Sequence, residues 1–257
     1  MTYCIFKVSL YVLPYGQMSL WGILKCLKCD FNNNILYINH DFCFSILVPT
    51  RIRAEKRIGP HNLTILSIIV GSLLGDGHAE YRTKGKGTRI SFYQEASHLN
   101  YIHWLHQRVS ENGYCNSKIP QTYTRLGKFG KVRKVLRFNT WTYSSLNWIH
   151  ESWYDNGIKI IPNNLELFLT PLALSIWIMD DGAISSKGLK LCTNSFSYSE
   201  CQTLTHLLWK LYNLKATVQK AGAPDQYIIY IWKESMPILN GIVSPYIIPS
   251  MKYKINV

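Results

Sequence analysis

The chain has 257 residues, with 28 Lys and Arg against 15 Asp and Glu, which gives a formal net charge of +13 at pH 7. Hydrophobic residues make up 47% and aromatic residues 13%, which excludes a disordered chain, and no Gly-X-Y period or sustained heptad indicates a fibrous protein. A pI near 9.4 favours a polyanionic ligand. The seven scattered cysteines favour reduced thiols over a disulfide framework.

The N-terminal extension, residues 1–60, has no role that its sequence defines. Cys26 and Cys29 are spaced as a CxxC pair, but no second pair or His motif accompanies them, so a zinc site is not favoured. Residues 3–27 are apolar enough to raise a membrane helix as an alternative, although Lys7 and several Pro, Gly and Gln residues interrupt the run. We expect no stable membrane partner.

An internal repeat follows the extension, with IVGSLLGDG at residues 69–77 and LSIWIMDDG at residues 174–182. Each segment is an apolar helix that ends in Asp-Gly, and the two aspartates, Asp76 and Asp181, are 105 residues apart. Because the helices are apolar nearly all round, they are predicted to be buried. Their small residues allow close approach, so we expect the two helices to pack against each other.

The flanking elements repeat in the same order of helix, strand, helix, two strands and helix. The first copy is predicted at residues 65–75, 88–94, 97–111, 119–125, 132–140 and 143–154, and the second at 172–179, 188–195, 199–212, 215–220, 227–232 and 235–243. Thr64 and Thr170 are the expected helix N-caps, and Gly77 and Gly182 the expected left-handed ends. We therefore divide the chain into an extension at 1–60, a first repeat at 61–160 and a second repeat at 161–257.

Positive charge is concentrated in residues 51–140, which hold 16 Lys and Arg against five acids, hence +11 of the +13. Cations there would meet phosphates, and polar side chains would meet base edges. A solvated basic face is the alternative. The residues expected to contact nucleic acid are Arg89, Gln94, Arg125, Lys128, Lys131, Arg133, Lys134, Arg137, Lys190 and Asn194.

Asp76 and Asp181 are unfavourably placed for stability, since each carboxylate faces the negative end of a helix dipole and the two charges repel. A divalent cation between them would remove both penalties, and oxygen ligands suit Mg²⁺. Such a metal can activate water for phosphodiester hydrolysis. Gly75 and Asp180, which precede the two aspartates, are expected beside the metal, with the Asp180 side chain pointing elsewhere to support the site or bind water.

The paired segments resemble the motifs of the LAGLIDADG homing endonucleases, in particular the monomeric two-motif enzymes of organellar introns. The phrase IPNNLELFLTPLALSIWIMDDG and the tail PYIIPSMKYKI resemble the same subfamily. The resemblance implies an α+β fold of two pseudo-symmetric αββαββα repeats, whose antiparallel sheets form a DNA-binding saddle. It implies that Asp76 and Asp181 are the catalytic, metal-binding acids, and that Lys159 and Lys254, each beside an Ile-Pro, are catalytic lysines. Gln94 and Asn194 are expected to be polar neighbours of the site.

The expected function is therefore site-specific, Mg²⁺-dependent cleavage of double-stranded DNA at a long asymmetric target by a monomer, which spreads a host intron. The alternative is an RNA maturase that assists splicing of a group I intron without obligatory DNA cleavage. A DNA-binding regulator on a decayed nuclease scaffold is not favoured, because both acids are retained. The expected location is the mitochondrion, with the chloroplast as the alternative.

Overall fold

A computed structural model describes residues 52–127 and 130–255. The CxxC pair, the apolar run at residues 3–27 and Lys128 lie outside the described residues. Of the helices in the described part, none is both long and apolar enough to cross a membrane.

The described chain contains two successions of helices and strands in nearly the same order. The helices are α1 (Leu63–Leu74), α2 (Leu99–Glu111), α3 (Asn147–Trp153), α4 (Pro171–Asp181), α5 (Tyr198–Tyr212) and α6 (Met236–Val243). The strands are β1 (His78–Arg82), β2 (Gly87–Glu95), β3 (Tyr123–Leu126), β4 (Val132–Asn139), β5 (Tyr154–Asp155), β6 (Ile158–Lys159), β7 (Gly182–Ser185), β8 (Gly188–Cys192), β9 (Ala216–Lys220) and β10 (Tyr227–Ile231).

Two four-stranded antiparallel sheets repeat the same topology. Their strand orders are β1-β2-β4-β3 and β7-β8-β10-β9, while β5 and β6 form a separate short hairpin. The inner faces of both sheets, including Phe92 and Leu136 in one and Leu191 and Ile229 in the other, join a single core cluster with α1 and α4. Alternation along a strand therefore leaves one face of each sheet turned away from this core.

Two strands lie between each motif helix and the next helix, namely β1 and β2 in the first half and β7 and β8 in the second. The sequence pattern predicted only β2 and β8. This expectation was wrong for a physical reason. The β1 sequence HAEYR is largely polar, and β7 has four residues, so neither shows an apolar alternation. Both are held by antiparallel pairing, His78 with Ser91 and Gly182 with Leu191. The αββαββα order implied by the resemblance is confirmed.

The helix ends agree only partly with the expected caps. Thr170 caps α4 by accepting from the Ala173 amide at 3.2 Å, with Pro171 in the first turn, as predicted. The α1 cap is Asn62, which accepts from the Ile65 amide at 2.7 Å, so the expectation for Thr64 was wrong. Gly182 has φ −76° and Gly77 is not among the residues with positive φ, so neither helix ends in a left-handed glycine.

The motif helices α1 and α4 pack directly against each other in the centre of the core. A Cβ on Gly71 would lie 2.8 Å from Ile176 Cβ and would also overlap the Ala173 carbonyl oxygen. Thr170 Oγ1 donates to Ser67 Oγ at 2.8 Å between the same two helices. The predicted contact between the motif helices is therefore confirmed, and it fixes where their C-terminal ends lie.

Candidate active site

The C-terminal ends of α1 and α4 lie close together, because the central turns of the two helices pack against each other. A Cβ on Gly75, which caps α1, would lie 2.5 Å from Asp180 Cβ in α4. Only glycine fits there without displacing Asp180. Asp76, which follows α1, therefore lies close to Asp180 and Asp181, which end α4.

Gln94, at the end of β2, joins two of these acids through a single side-chain amide. Its Nε2 donates to Asp76 Oδ2 at 2.8 Å and to Asp180 Oδ1 at 3.0 Å. Its Oε1 lies 3.1 Å from His98 Nδ1. Gln94 is only 4% exposed, whereas Asp76 is exposed and Asp180 is half-buried, so the amide holds the two carboxyls from the protein side.

The Asp180 side chain does not point away from the site, and the expectation that it would do so was wrong. It lies across the helix interface beside Asp76, in the space that Gly75 leaves free. The buried Tyr101 hydroxyl also lies beside the Asp180 carboxyl. It has no hydrogen-bond partner among the described residues. The region thus contains three carboxyl groups rather than the expected pair.

The electrostatics of this region disfavour the charged form of each carboxyl. Burial raises the pKa of Asp76, an effect that the Gln94 hydrogen bond and the two nearby lysines oppose. Burial, and then the charge of Asp76, raise the pKa of Asp181 to about 7. Burial and the same neighbouring acids raise the pKa of Asp180 well above its ordinary value. A bound cation would therefore stabilise the charged forms of these carboxyl groups.

Lys159 and Lys254 occupy matching positions, each at the C-terminal end of one motif helix. Lys159 Nζ donates to the carbonyls of Leu73 at 2.8 Å and Gly77 at 3.0 Å. Lys254 Nζ donates to the carbonyl of Asp180 at 2.9 Å and to that of Met179. Each ammonium therefore satisfies helix-end carbonyls that have no partner within the helix.

Burial lowers the pKa of both lysines, while the nearby carboxylates raise it. The two expected lysines therefore lie beside the acids, and their positions are set by the backbone carbonyls rather than by direct ion pairs. Within the described ranges, no three His, Cys, Asp or Glu side chains converge as a closed metal centre. The acids instead form an open cluster of oxygen donors.

The expected DNA-contacting arginines share one face of the first sheet, the face turned away from the core. Arg89 lies in β2, and Arg133 and Arg137 in β4 pair with Arg125 in β3 and Tyr93 in β2. Paired residues of antiparallel strands project to the same side. These four arginines therefore form one basic surface.

Several other expected contact residues lie elsewhere. Gln94 is buried beside the acids, so it cannot form part of this surface. Lys134 is exposed and pairs with Thr124, on the side of β4 opposite the four arginines. Lys131 lies in the exposed turn before β4, and Lys190 lies in β8 of the second sheet.

Asn194 was expected to correspond to Gln94, but the strand register places Thr193 there. His78 pairs with Ser91, and Gly182, which is equivalent to Gly77, pairs with Leu191, so Thr193 falls at the Gln94 position. Thr193 is buried and donates to the Tyr227 carbonyl at 2.7 Å. Asn194 is exposed. The two halves therefore differ at this position, which is a glutamine bonded to the acids in one half and a threonine bonded to a strand carbonyl in the other.

Comparison with known proteins identifies the family of this chain. Residues 66–239, which include most of α1, all of α4 and both sheets, match the model of the LAGLIDADG DNA endonuclease family. The chain belongs to the LAGLIDADG family. The solved structure of the homing endonuclease I-WcaI bound to its DNA recognition sequence is similar to this chain, with a TM-score of 0.68 and 27% identity over 76% of this chain and 86% of that one.

Curated relatives carry two kinds of name. The cytochrome b mRNA maturase bI2 of Saccharomyces cerevisiae is 53% identical, over 96% of this chain and 68% of the relative. The intron-encoded endonuclease ai4 of Dictyostelium discoideum is 34% identical, over 60% of this chain and 99% of the relative. The LAGLIDADG scaffold is thus associated with both maturase and endonuclease names among proteins similar to this chain.

Sequence reasoning missed His98 and Tyr101 as neighbours of the acids, and it missed Thr193 as the residue at the register position of Gln94. His98 and Tyr101 lie at the start of α2, where an apolar and polar mixture is ordinary, so no local signal marks them. Thr193 could have been found only from the register of β8 against β7. The missed residues all depend on pairings between distant segments.

Proposed function

We propose that this chain is a site-specific endonuclease that cuts both strands of DNA by Mg²⁺-dependent phosphodiester hydrolysis. The observation that carries the proposal is the meeting of Asp76 and Asp180 on one Gln94 amide, with Asp181 close enough for its pKa to respond to Asp76. Family membership supports this reading of the carboxyl cluster. We further propose that the repeats span residues 61–160 and 161–257.

The donor set fits a hard divalent cation. Asp76 and Asp181 offer carboxylate oxygens, and the backbone carbonyls of Gly75 and Asp180 adjoin them in the chain, so all four candidate ligands are oxygen atoms. Burial raises the pKa of Asp76 and of Asp181 in spite of the nearby lysines, so a bound cation would stabilise their charged forms. When bound, Mg²⁺ would lower the pKa of a nucleophilic water and stabilise the leaving oxygen.

The residues of the chain supply positioning and charge around this centre. Gln94 orients Asp76 through its amide, and Lys159 and Lys254 hold positive charge beside the acids without neutralising them in direct ion pairs. The arginine surface of the first sheet would hold the DNA phosphates and base edges. A monomer is sufficient, since both motifs lie in one chain.

A second function, assistance of group I intron splicing, is supported by the 53% identity to a protein named cytochrome b mRNA maturase bI2. RNA would be a further partner of the same basic chain. An intron-encoded origin also supports the mitochondrion as the location, with the chloroplast as the alternative. Splicing assistance would depend on binding and not on the acid cluster.

The acids provide the decisive test of the nuclease proposal. We expect Asp76→Asn or Asp181→Asn to abolish double-strand cutting, because neither amide can hold the metal as a carboxylate does. DNA binding should change little. The measurement is cleavage of a plasmid that carries the joined exons of the host intron, in Mg²⁺ and in EDTA, beside a gel-shift titration.

Asp225→Asn is the matched control, since Asp225 is an exposed acid in a loop with φ 55°, a conformation that Asn adopts readily. This variant should cut like the wild type. Cutting at the wild-type rate by the Asp76→Asn/Asp181→Asn double variant would refute the assignment of the site.

A further inference from the structure

The two sheets have the same strand order but present open faces of different chemistry. In the first sheet the side opposite the core carries many charged residues. They are Glu80, Arg82, Arg89, Glu95, Arg125, Arg133 and Arg137. Five of these are arginines and two are glutamates, so this face has a net positive charge.

The open face of the second sheet is nearly neutral. Strand pairing places Lys190 beside Ala183 and Tyr230, and Cys192 beside Ile228. The remaining strand residues on this face are Ser185, Gly188, Thr217 and Gln219. Lys190 is therefore the single charged strand residue on the described part of this face.

Equivalent register positions make the contrast specific. The pair Tyr93 and Arg137 in the first sheet corresponds to Cys192 and Ile228 in the second, because each pair directly follows a matching core pair, Phe92–Phe138 or Leu191–Ile229. A cation in one half is thus replaced by a β-branched aliphatic side chain in the other.

The arginines of the first face differ in how free they are. Arg82 and Arg89 both contact Glu80 at 2.7 Å, and Arg133 lies 3.4 Å from Glu95. Arg125 and Arg137 make no ion pair with any described acid. Arg137 donates instead to Ser91 Oγ at 3.0 Å, which orients its guanidinium while leaving its charge uncompensated.

We propose that the two sheets read different halves of the DNA target by different chemistry, a proposal that rests on the proposed function. The first sheet recognises guanines through Arg137 and Arg125, because a guanidinium donates two hydrogen bonds to the O6 and N7 of guanine. The second sheet recognises thymines through Ile228 and its aliphatic and hydroxyl neighbours, because the thymine methyl accepts apolar contact. The salt-dependent part of the binding resides mainly in the first half.

The test is selection of bound duplexes from a library randomised across a long central segment, with the full chain and with Ca²⁺ in place of Mg²⁺ during binding. Recovered sequences should be guanine-rich on one side of the cleavage point and rich in A·T pairs on the other. Cleavage of the selected duplex in Mg²⁺ then establishes that the bound sequence is a substrate.

Arg137→Ala and Ile228→Ala are matched variants at equivalent positions. Arg137→Ala should weaken binding roughly ten-fold, remove guanine preference in one half and reduce the magnitude of the salt slope by about one. Ile228→Ala should relax thymine preference in the other half and leave the salt slope unchanged.

Two failures are distinguishable. If no sequence is enriched and no selected duplex is cut, the proposed function fails. If a sequence is enriched and cut but both halves have the same base composition, the asymmetric readout is overturned alone. The same holds if the two variants change the salt slope equally.

Discussion

Asp181 shows how a single side chain couples stability to function in this protein. Its pKa is raised from 3.8 to about 7, first by burial and then by the charge of Asp76. Between pH 3.8 and about 7, the Asp181 carboxyl is deprotonated in the unfolded chain but still protonated in the folded chain. Asp181 therefore contributes stability to the metal-free protein that is fully present below pH 3.8 and is lost as the pH rises through about 7.

We accordingly expect Asp181→Asn to raise the melting temperature of the metal-free protein near pH 8 and to change it little near pH 4. The measurement is thermal unfolding in EDTA across this range. Mg²⁺ should raise the melting temperature of the wild type near pH 8 and should not do so in the variant. Asp225→Asn, at an exposed position, is the control and should melt like the wild type both in EDTA and in Mg²⁺. A variant less stable than the wild type near pH 8 would contradict this account.

Lys254 carries a second prediction at the scale of one residue. Its buried ammonium donates to the carbonyls that end α4, next to the acids. Lys254→Met keeps the side-chain length but removes the charge, so we expect single-turnover cleavage to fall by roughly 100-fold. Lys252→Met is the matched control, because Lys252 is exposed two positions earlier in the same segment. Equal cleavage rates for the two variants would exclude a role for the Lys254 charge.

At the scale of elements, the contact between α1 and α4 determines whether the acids meet. Gly71 has no room for a Cβ, which would lie 2.8 Å from Ile176 Cβ. We expect Gly71→Ala to destabilise the protein by about 1–2 kcal/mol, since overpacking costs more than the helix gains from alanine. Cleavage should fall as well, because the helices carry Asp76 and Asp181.

The comparison variant is Gly241→Ala in α6, where a Cβ would meet nothing within 4 Å. That substitution should stabilise the protein by about 0.5–1 kcal/mol. Chemical denaturation of both variants gives the two free energies. Stabilisation by Gly71→Ala would mean that the helices do not pack as closely as described.

The same helices explain why the sequence predicted much of the architecture. Their apolar residues, small residues and terminal aspartates form a pattern within one short segment, which can be recognised without knowing which distant segments it packs against. The strands β1 and β7 show no such pattern in their own sequence. They form because they pair with β2 and β8. Asp180 was misjudged for the same reason, since its position depends on Gly75 in another helix.

At the scale of the molecule, the groups proposed for binding and those proposed for catalysis occupy different places. The acids lie at the C-terminal ends of α1 and α4, whereas the arginines lie on the open face of the first sheet. Removing the acid charges should therefore leave the nucleic-acid surface intact. A maturase role, suggested by the cytochrome b mRNA maturase bI2 relative, would need only that surface.

We therefore expect the Asp76→Asn/Asp181→Asn double variant to lose DNA cutting and to retain any assistance of splicing. The measurement is the splicing rate of a precursor RNA that carries the encoding intron, with and without the protein, beside plasmid cleavage by the same preparation. Arg137→Ala tests the converse, since it removes an uncompensated cation but no acid, and its effect on splicing reports whether RNA uses the first sheet. Loss of splicing assistance in the double variant, with its folding and DNA affinity preserved, would mean that the acid cluster also contacts RNA.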